Sequence, residues 1–133
     1  MLTGWRILLV EDEALVAYLL EDMLADVGCT VVGLAARVDQ ALELIRTIPI
    51  DAAVLDVCLD NEFSYPIADA LLARGIPFMF STGYARDRLR DGYKGFPMLQ
   101  KPYHPRELEK ILTTLLPTID ALPATSNAAA LIR

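Results

Sequence analysis

Cysteine is nearly absent: the 133 residues hold two, Cys29 and Cys58, along with a single histidine, His104. They form neither a Cys-x-x-Cys pair nor a disulfide framework, which fits a reducing, cytoplasmic setting. Long apolar runs are missing too. No stretch reaches the ~18 residues of a membrane span, and charged Arg6 and Glu11 bracket the one early apolar segment, so neither a span nor a secretory leader is expected. Basic residues are outnumbered, 12 Lys and Arg against 18 Asp and Glu, for a net charge of −6. Sequence-independent nucleic-acid binding therefore has no electrostatic footing, and direct DNA binding is not expected. Long polar tracts are lacking, which argues against disorder, and there is no internal repeat. What remains is a chain that is 54% hydrophobic, of a length that supports one domain with a real core.

The stretch Asp51-Ala52-Ala53-Val54-Leu55-Asp56 organises the rest. Four apolar residues run unbroken and stop at a carboxylate, as in a strand buried on both faces of a parallel sheet. Ile7-Leu8-Leu9-Val10 ends in the same way, at Glu11-Asp12-Glu13. Residues 31–35, 77–82 and 96–100 read as three more strands. After the first strand, Ala14, Leu15, Leu19, Met23 and Val27 recur at helical spacing, with Glu21, Asp22 and Asp26 opposite and Gly28 as the stop. Asp39 opens a second helix through Ala41, Leu42, Leu44, Ile45 and Ile48, which Pro49 closes. Residues 63–74 keep a weaker helical period through Ile67, Ala68, Leu71 and Leu72, ending at Gly75. Residues 83–95 are polar and arginine-rich, a brief helix or a mobile loop. Pro105 suits the first position of a last amphipathic helix carrying Leu108, Ile111, Leu112 and Leu115. The expected domain spans 1–118, followed by a flexible tail over 119–133. Five strands alternating with about five helices give a doubly wound α/β sheet with helices on both faces.

In a parallel sheet the strands' carboxyl ends share one edge, where open α/β folds place their ligands. Glu11 and Asp12, Asp56, Thr82 and Lys101 all fall at or just past such ends, and so converge. Three carboxylates together repel one another, and hard, oxygen-seeking Mg²⁺ relieves that repulsion. A hydroxyl and a lysine beside the metal suit phosphoryl oxygens. A carboxylate in that position can itself accept the phosphoryl group.

This pattern, one piece per strand end and in order, resembles the receiver domain of two-component response regulators across residues 5–116. The resemblance implies a flavodoxin-like five-stranded sheet of order 2-1-3-4-5. It implies that Asp56 is the phosphoacceptor, attacking the phosphohistidine of a sensor histidine kinase or phosphotransfer protein. Asp12 would bind Mg²⁺ directly, Glu11 through water, and the backbone carbonyl of Cys58 would complete the protein's ligands. Lys101 would pair with Asp56 and then with the phosphoryl oxygens, with a cis peptide to Pro102. Thr82 would swing toward the phosphoryl group, and Gly83 would leave room for it. Activity would be limited to Mg²⁺-dependent self-phosphorylation and self-dephosphorylation. Output would run through contact with a downstream protein, with no nucleic acid and no membrane. The face of the fourth and fifth strands would serve any homodimer.

The chain also departs from the family pattern. Met98 stands three residues before the lysine, where the family usually has an aromatic switch. Leu59-Asp60-Asn61, then Glu62, replace the common Met-Pro after the acceptor. Phe80-Ser81-Thr82-Gly83-Tyr84 resembles the Phe-Ala-Thr-Gly-x-Tyr motif of an atypical, often stand-alone receiver group, in which Tyr84 would replace the switch or cover the phosphoryl site. Two other functions compete. One is a receiver-like adaptor that is never phosphorylated, which the residue at Met98 keeps open. The other is a Mg²⁺-dependent phosphohydrolase with an aspartyl nucleophile, which needs an acid where Cys58 stands. Taken singly, each residue has a plain reading. Asp56 could cap a helix, Thr82 a turn, and Arg86, Arg88, Arg90 and Lys94 could be solvated charge. Cys58 could be a small apolar residue, His104 a loop residue, and Tyr103 and Met98 partial core.

Overall fold

The computed structural model describes residues 3–59, 61–83, 89–101 and 104–115. In chain order the elements are β1 (Arg6–Val10), α1 (Ala14–Asp26), β2 (Thr30–Ala35), α2 (Val38–Thr47), β3 (Ala52–Asp56), β4 (Cys58–Leu59), β5 (Glu62–Phe63), α3 (Tyr65–Ala73), β6 (Phe78–Thr82), β7 (Met98–Gln100) and α4 (Pro105–Leu115). Five strands pair in parallel in the order β2-β1-β3-β6-β7. Setting aside the small β4–β5 hairpin, this is the expected 2-1-3-4-5 order.

Alternation along the central strands divides the core into two layers. Ala52 and Val54 of β3 and Met79 of β6 pack with Ala17, Leu20 and Leu24 of α1 and Leu108 and Leu112 of α4. Ala53 and Leu55, with Phe78 and Phe80, pack with Ala41 and Ile45 of α2 and Ile67, Ala68 and Leu71 of α3. β3 and β6 are buried along their whole length, which is why their sequences read as continuous apolar runs. Among the described residues no helix is long and apolar enough to cross a membrane.

Two helix ends follow directly from glycine. Gly28 takes φ +96°, donating to Ala25 O while Cys29 N donates to Leu24 O, and Gly75 ends α3 through the corresponding pair of bonds. At this same amino edge of the sheet, Asp51 Oδ2 accepts the Arg6 amide at 2.7 Å and Nε at 3.0 Å, and Oδ1 accepts Nη2 at 3.0 Å. This clamp fixes the start of β1 against the start of β3, and so sets how their carboxyl ends line up.

Two details differ from the sequence expectation, and a third bears on alternatives it left open. The buried face of α1 is Ala17, Leu20 and Leu24, whereas Leu15 is 72% and Leu19 51% exposed. The helix is apolar on most sides through its first two turns, so periodicity could not choose the face, and packing against the sheet did. Cys58–Leu59 and Glu62–Phe63 pair antiparallel, which was not expected, and Asn61 takes φ +71°. Of the brief helix or loop expected over 83–95, the described residues 89–95 form turns and bends, with Tyr93 N donating to Arg90 O at 3.0 Å, and none of them is helical.

Candidate functional site

The carboxyl ends of β1, β3, β6 and β7 meet at one edge. Glu11 follows β1, and its amide donates to Ala35 O at 2.9 Å, which continues the β1–β2 ladder. Asp56 is the last residue of β3 and pairs in register with Ser81. Lys101 follows β7, held by its amide bond to Thr82 O at 2.7 Å. From there its side chain crosses the end of β6 to reach both acids. Nζ lies 3.0 Å from Glu11 Oε1, 3.2 Å from Asp56 Oδ2 and 4.0 Å from Glu13 Oε1.

Glu11 and Asp56 are buried, at 3% and 7% exposure, and Asp12 is exposed. Carboxylate oxygens of the three lie within 4.8 Å of one another. Glu11 Oε2 also accepts the Glu13 amide at 3.2 Å, so both its oxygens have protein partners. Burial, reinforced by the charge of Asp56 and opposed by Lys101, pushes the Glu11 carboxyl up to about 7. Burial acts to lower Lys101, but the charge of Asp56 and the bond to Glu11 outweigh it, so its net direction is upward. Among the described residues the site gathers its carboxylates around the one ammonium of Lys101, and its donors are hard oxygens. Such a pocket suits a small divalent cation and a phosphoryl group.

Thr82, buried at the end of β6, stands next to Gly83, where an added Cβ would meet nothing within 4 Å. Cys58 opens the β4–β5 hairpin half-buried. Tyr84 and Pro102 lie outside the described residues, as do Tyr103, Arg86, Arg88 and the segment 119–133.

A family model described as the response regulator receiver domain matches residues 7–113. The chain belongs to that family. A solution structure of SdrG from Sphingomonas melonis Fr1 shares 44% identity with this receiver domain, covers 85% of it and 97% of SdrG, and superposes with a TM-score of 0.77. The receiver domain of the sensor histidine kinase PA1611 from Pseudomonas aeruginosa PAO1 is 29% identical, with 86% of this chain and 99% of that one covered and a TM-score of 0.75. Its crystal structure has a magnesium ion coordinated in the active site cleft. The uncharacterized transcriptional regulatory protein YbdJ of Bacillus subtilis (strain 168) is 32% identical over 111 residues, 79% of this chain. The match covers 48% of YbdJ, so the chain spans about half the length of that relative.

Met98 sits as the partial core its plain reading expected, while most contacts around it in this receiver domain were not singled out in the sequence. Met98 packs half-buried against the α2–α3 side of the core, in register with Phe80. Aromatic rings gather beside it: Phe78 and Phe96 lie 4.9 Å apart between centroids, and Tyr65 and Tyr93 lie 4.4 Å apart. Arg90, expected to be a solvated charge, stacks its guanidinium 4.5 Å over the Tyr65 ring. The Arg90 amide donates to Tyr65 Oη at 2.9 Å, and Tyr93 Oη donates to Asp69 at 2.6 Å. These bonds strap residues 90–96 to α3. Phe63, Tyr65, Tyr93 and Phe96 were visible as aromatics, but only the fold shows that they meet. His104 precedes α4, its amide donating to Glu107 Oε1 at 3.0 Å and its Nδ1 accepting the Arg106 amide at 3.3 Å, so it caps that helix.

Proposed function

We propose that this chain is a phosphoryl-accepting receiver that takes phosphate on Asp56 from the phosphohistidine of a sensor histidine kinase or phosphotransfer protein. The observation that carries this reading is the reach of Lys101 across the sheet edge to Asp56 and Glu11. An Asp56 oxygen attacks phosphorus, the phosphorus–nitrogen bond of the donor breaks, and the imidazole nitrogen keeps the electron pair. Lys101, already at Asp56, follows the negative charge onto the phosphoryl oxygens. Thr82, one residue beyond the register pair Asp56–Ser81, supplies a hydroxyl to the same oxygens.

The acids fit Mg²⁺: Asp12 and Asp56 as direct ligands, Glu11 through water, and the Cys58 carbonyl as the remaining protein donor. Bound there, the ion offsets the mutual repulsion of the carboxylates and supplies positive charge to the phosphoryl oxygens. Glu11 suits the indirect role because its two oxygens already accept from Lys101 and the Glu13 amide.

The receiver unit in this reading is 1–118, with 119–133 as a tail, and its setting is the cytoplasm. Output runs through protein contact, the Thr82 loop biasing a two-state surface. The test is intact mass spectrometry after incubation with Mg²⁺ and acetyl phosphate, with Asp56→Asn alongside. One added phosphoryl group in the parent and none in the variant is the expected result. No adduct with acetyl phosphate or with a cognate kinase overturns the reading in favour of the adaptor. Continuous phosphate release from many substrates points instead to the hydrolase.

A further inference from the structure

Ser81 is wholly buried, and its Oγ has no hydrogen-bond partner among the described residues. A buried hydroxyl left unpaired is a net cost to stability, which calls for a state in which it is used. Its place in the sheet indicates which state. Met79 of β6 and Val54 of β3 face the α1–α4 layer, so two residues on, Ser81 and Asp56 face the same side. The two are register partners on adjacent strands, whose backbones run about 4.8 Å apart. The Lys101 side chain, anchored beside Thr82, crosses the end of β6 above this pair to reach Asp56 Oδ2.

We propose that Ser81 is a positioning residue of the phosphoryl site, whose hydroxyl donates to the carboxyl oxygen of Asp56 that Lys101 leaves when the aspartate carries phosphate. This rests on Asp56 being the phosphoacceptor. In the conformation described here Lys101 occupies Asp56 Oδ2, and the Ser81 hydroxyl has no task. Once Asp56 is phosphorylated, one carboxyl oxygen links to phosphorus and the other becomes a carbonyl oxygen in a buried position. Lys101 then moves to the three phosphoryl oxygens, where the charge is. The carbonyl oxygen, which in this reading also faces Mg²⁺, keeps a second lone pair that can accept from a donor. Rotation about the single χ1 of Ser81 turns its hydroxyl between staggered positions, so it can take up a new partner without any shift of the strand.

The role has a chemical consequence. In hydrolysis water attacks phosphorus and the bond from phosphorus to the Asp56 oxygen breaks. The carboxylate keeps the electron pair, and phosphate leaves with the water's oxygen and protons. A hydroxyl on the departing carboxylate stabilises the charge that develops there. Removing it slows the step by the worth of one neutral hydrogen bond, roughly two- to tenfold.

The test compares parent, Ser81→Ala and Ser81→Cys after labelling with acetyl phosphate and Mg²⁺. Phosphoryl lifetime is read by intact mass, and the acyl-phosphate carbonyl stretch by infrared difference spectroscopy. Ser81→Ala is expected to lengthen the lifetime roughly two- to tenfold and to move the carbonyl stretch to higher frequency. Ser81→Cys, a weaker donor of similar size, falls between. A labelled Ser81→Ala with the parent's lifetime and frequency overturns the Ser81 role alone. A parent that takes no label overturns the phosphoacceptor reading, and the Ser81 role with it.

Discussion

Lys101 reaches from the end of β7 over β6 to place its Nζ 3.2 Å from Oδ2 of Asp56 on β3. The same ammonium lies 3.0 Å from Glu11 Oε1, so one cation holds two buried acids together. Lys101→Ala removes the cation and leaves the two carboxyls facing each other. A loss of about 2 kcal/mol in metal-free stability is expected, the worth of a charged hydrogen bond in a partly open site. The loss is capped because Glu11, already raised by burial and by Asp56, can protonate. Urea unfolding of parent and variant in a chelator measures the loss. Repeating it with Mg²⁺ should return most of the difference, and a variant as stable as the parent in both would show that the pair contributes nothing.

Glu11 gives the metal-free protein a pH dependence of definite sign. Burial and then the charge of Asp56 lift its carboxyl from the ordinary 4.5 to about 7. Between those values the folded chain holds a proton that the unfolded chain has released. Stability from this group is therefore full below about 4.5 and is lost as pH rises through about 7. Glu11→Gln keeps a neutral group throughout, so its stability should change less across that window. Chelated urea titrations through the window test this, and parallel curves for parent and variant would contradict it.

The strand ends were legible because a strand buried on both faces writes itself as an uninterrupted apolar run, and each run here stops at a residue with chemistry. Val10 before Glu11 and Leu55 before Asp56 mark the edge without any knowledge of the fold. What sequence could not supply was lateral position. That Ser81 sits beside Asp56 depends on strand order and register, and Ser81 alone reads as one small residue in an apolar strand. The meeting of Tyr65 with Arg90 and Tyr93 is likewise a contact across the chain that no local pattern encodes.

Those contacts carry a prediction about the segment that follows the Thr82 end of β6. The Arg90 amide donates to Tyr65 Oη at 2.9 Å, and Tyr65→Phe keeps the ring under the guanidinium while removing that acceptor. Global stability should change little. The Arg90 amide should exchange with solvent about fivefold faster, the worth of one hydrogen bond near 1 kcal/mol. Residue-resolved hydrogen exchange reads this directly. Unchanged exchange at Arg90, with faster exchange elsewhere in α3, would show that the bond does not hold the strap.

Helix α1 separates two faces that look alike in sequence. Leu19 and Leu20 are adjacent and chemically identical, yet Leu19 is 51% exposed and Leu20 is fully buried against the sheet. Sequence periodicity chose the stripe of Leu15 and Leu19, because apolar residues on both sides of the first turns satisfy the same spacing. The fold resolves it through Ala17, Leu20 and Leu24, which meet Ile7, Leu9 and Val54. Leu20→Ala removes buried methyl groups and leaves a cavity, so it should cost about 2–5 kcal/mol. Leu19→Ala loses little buried area and should stay within about 0.5 kcal/mol of the parent. Denaturant unfolding of the two variants decides between the faces. Equal losses would mean that α1 is rotated from the position described here, and a larger loss at Leu19 would restore the face expected from sequence.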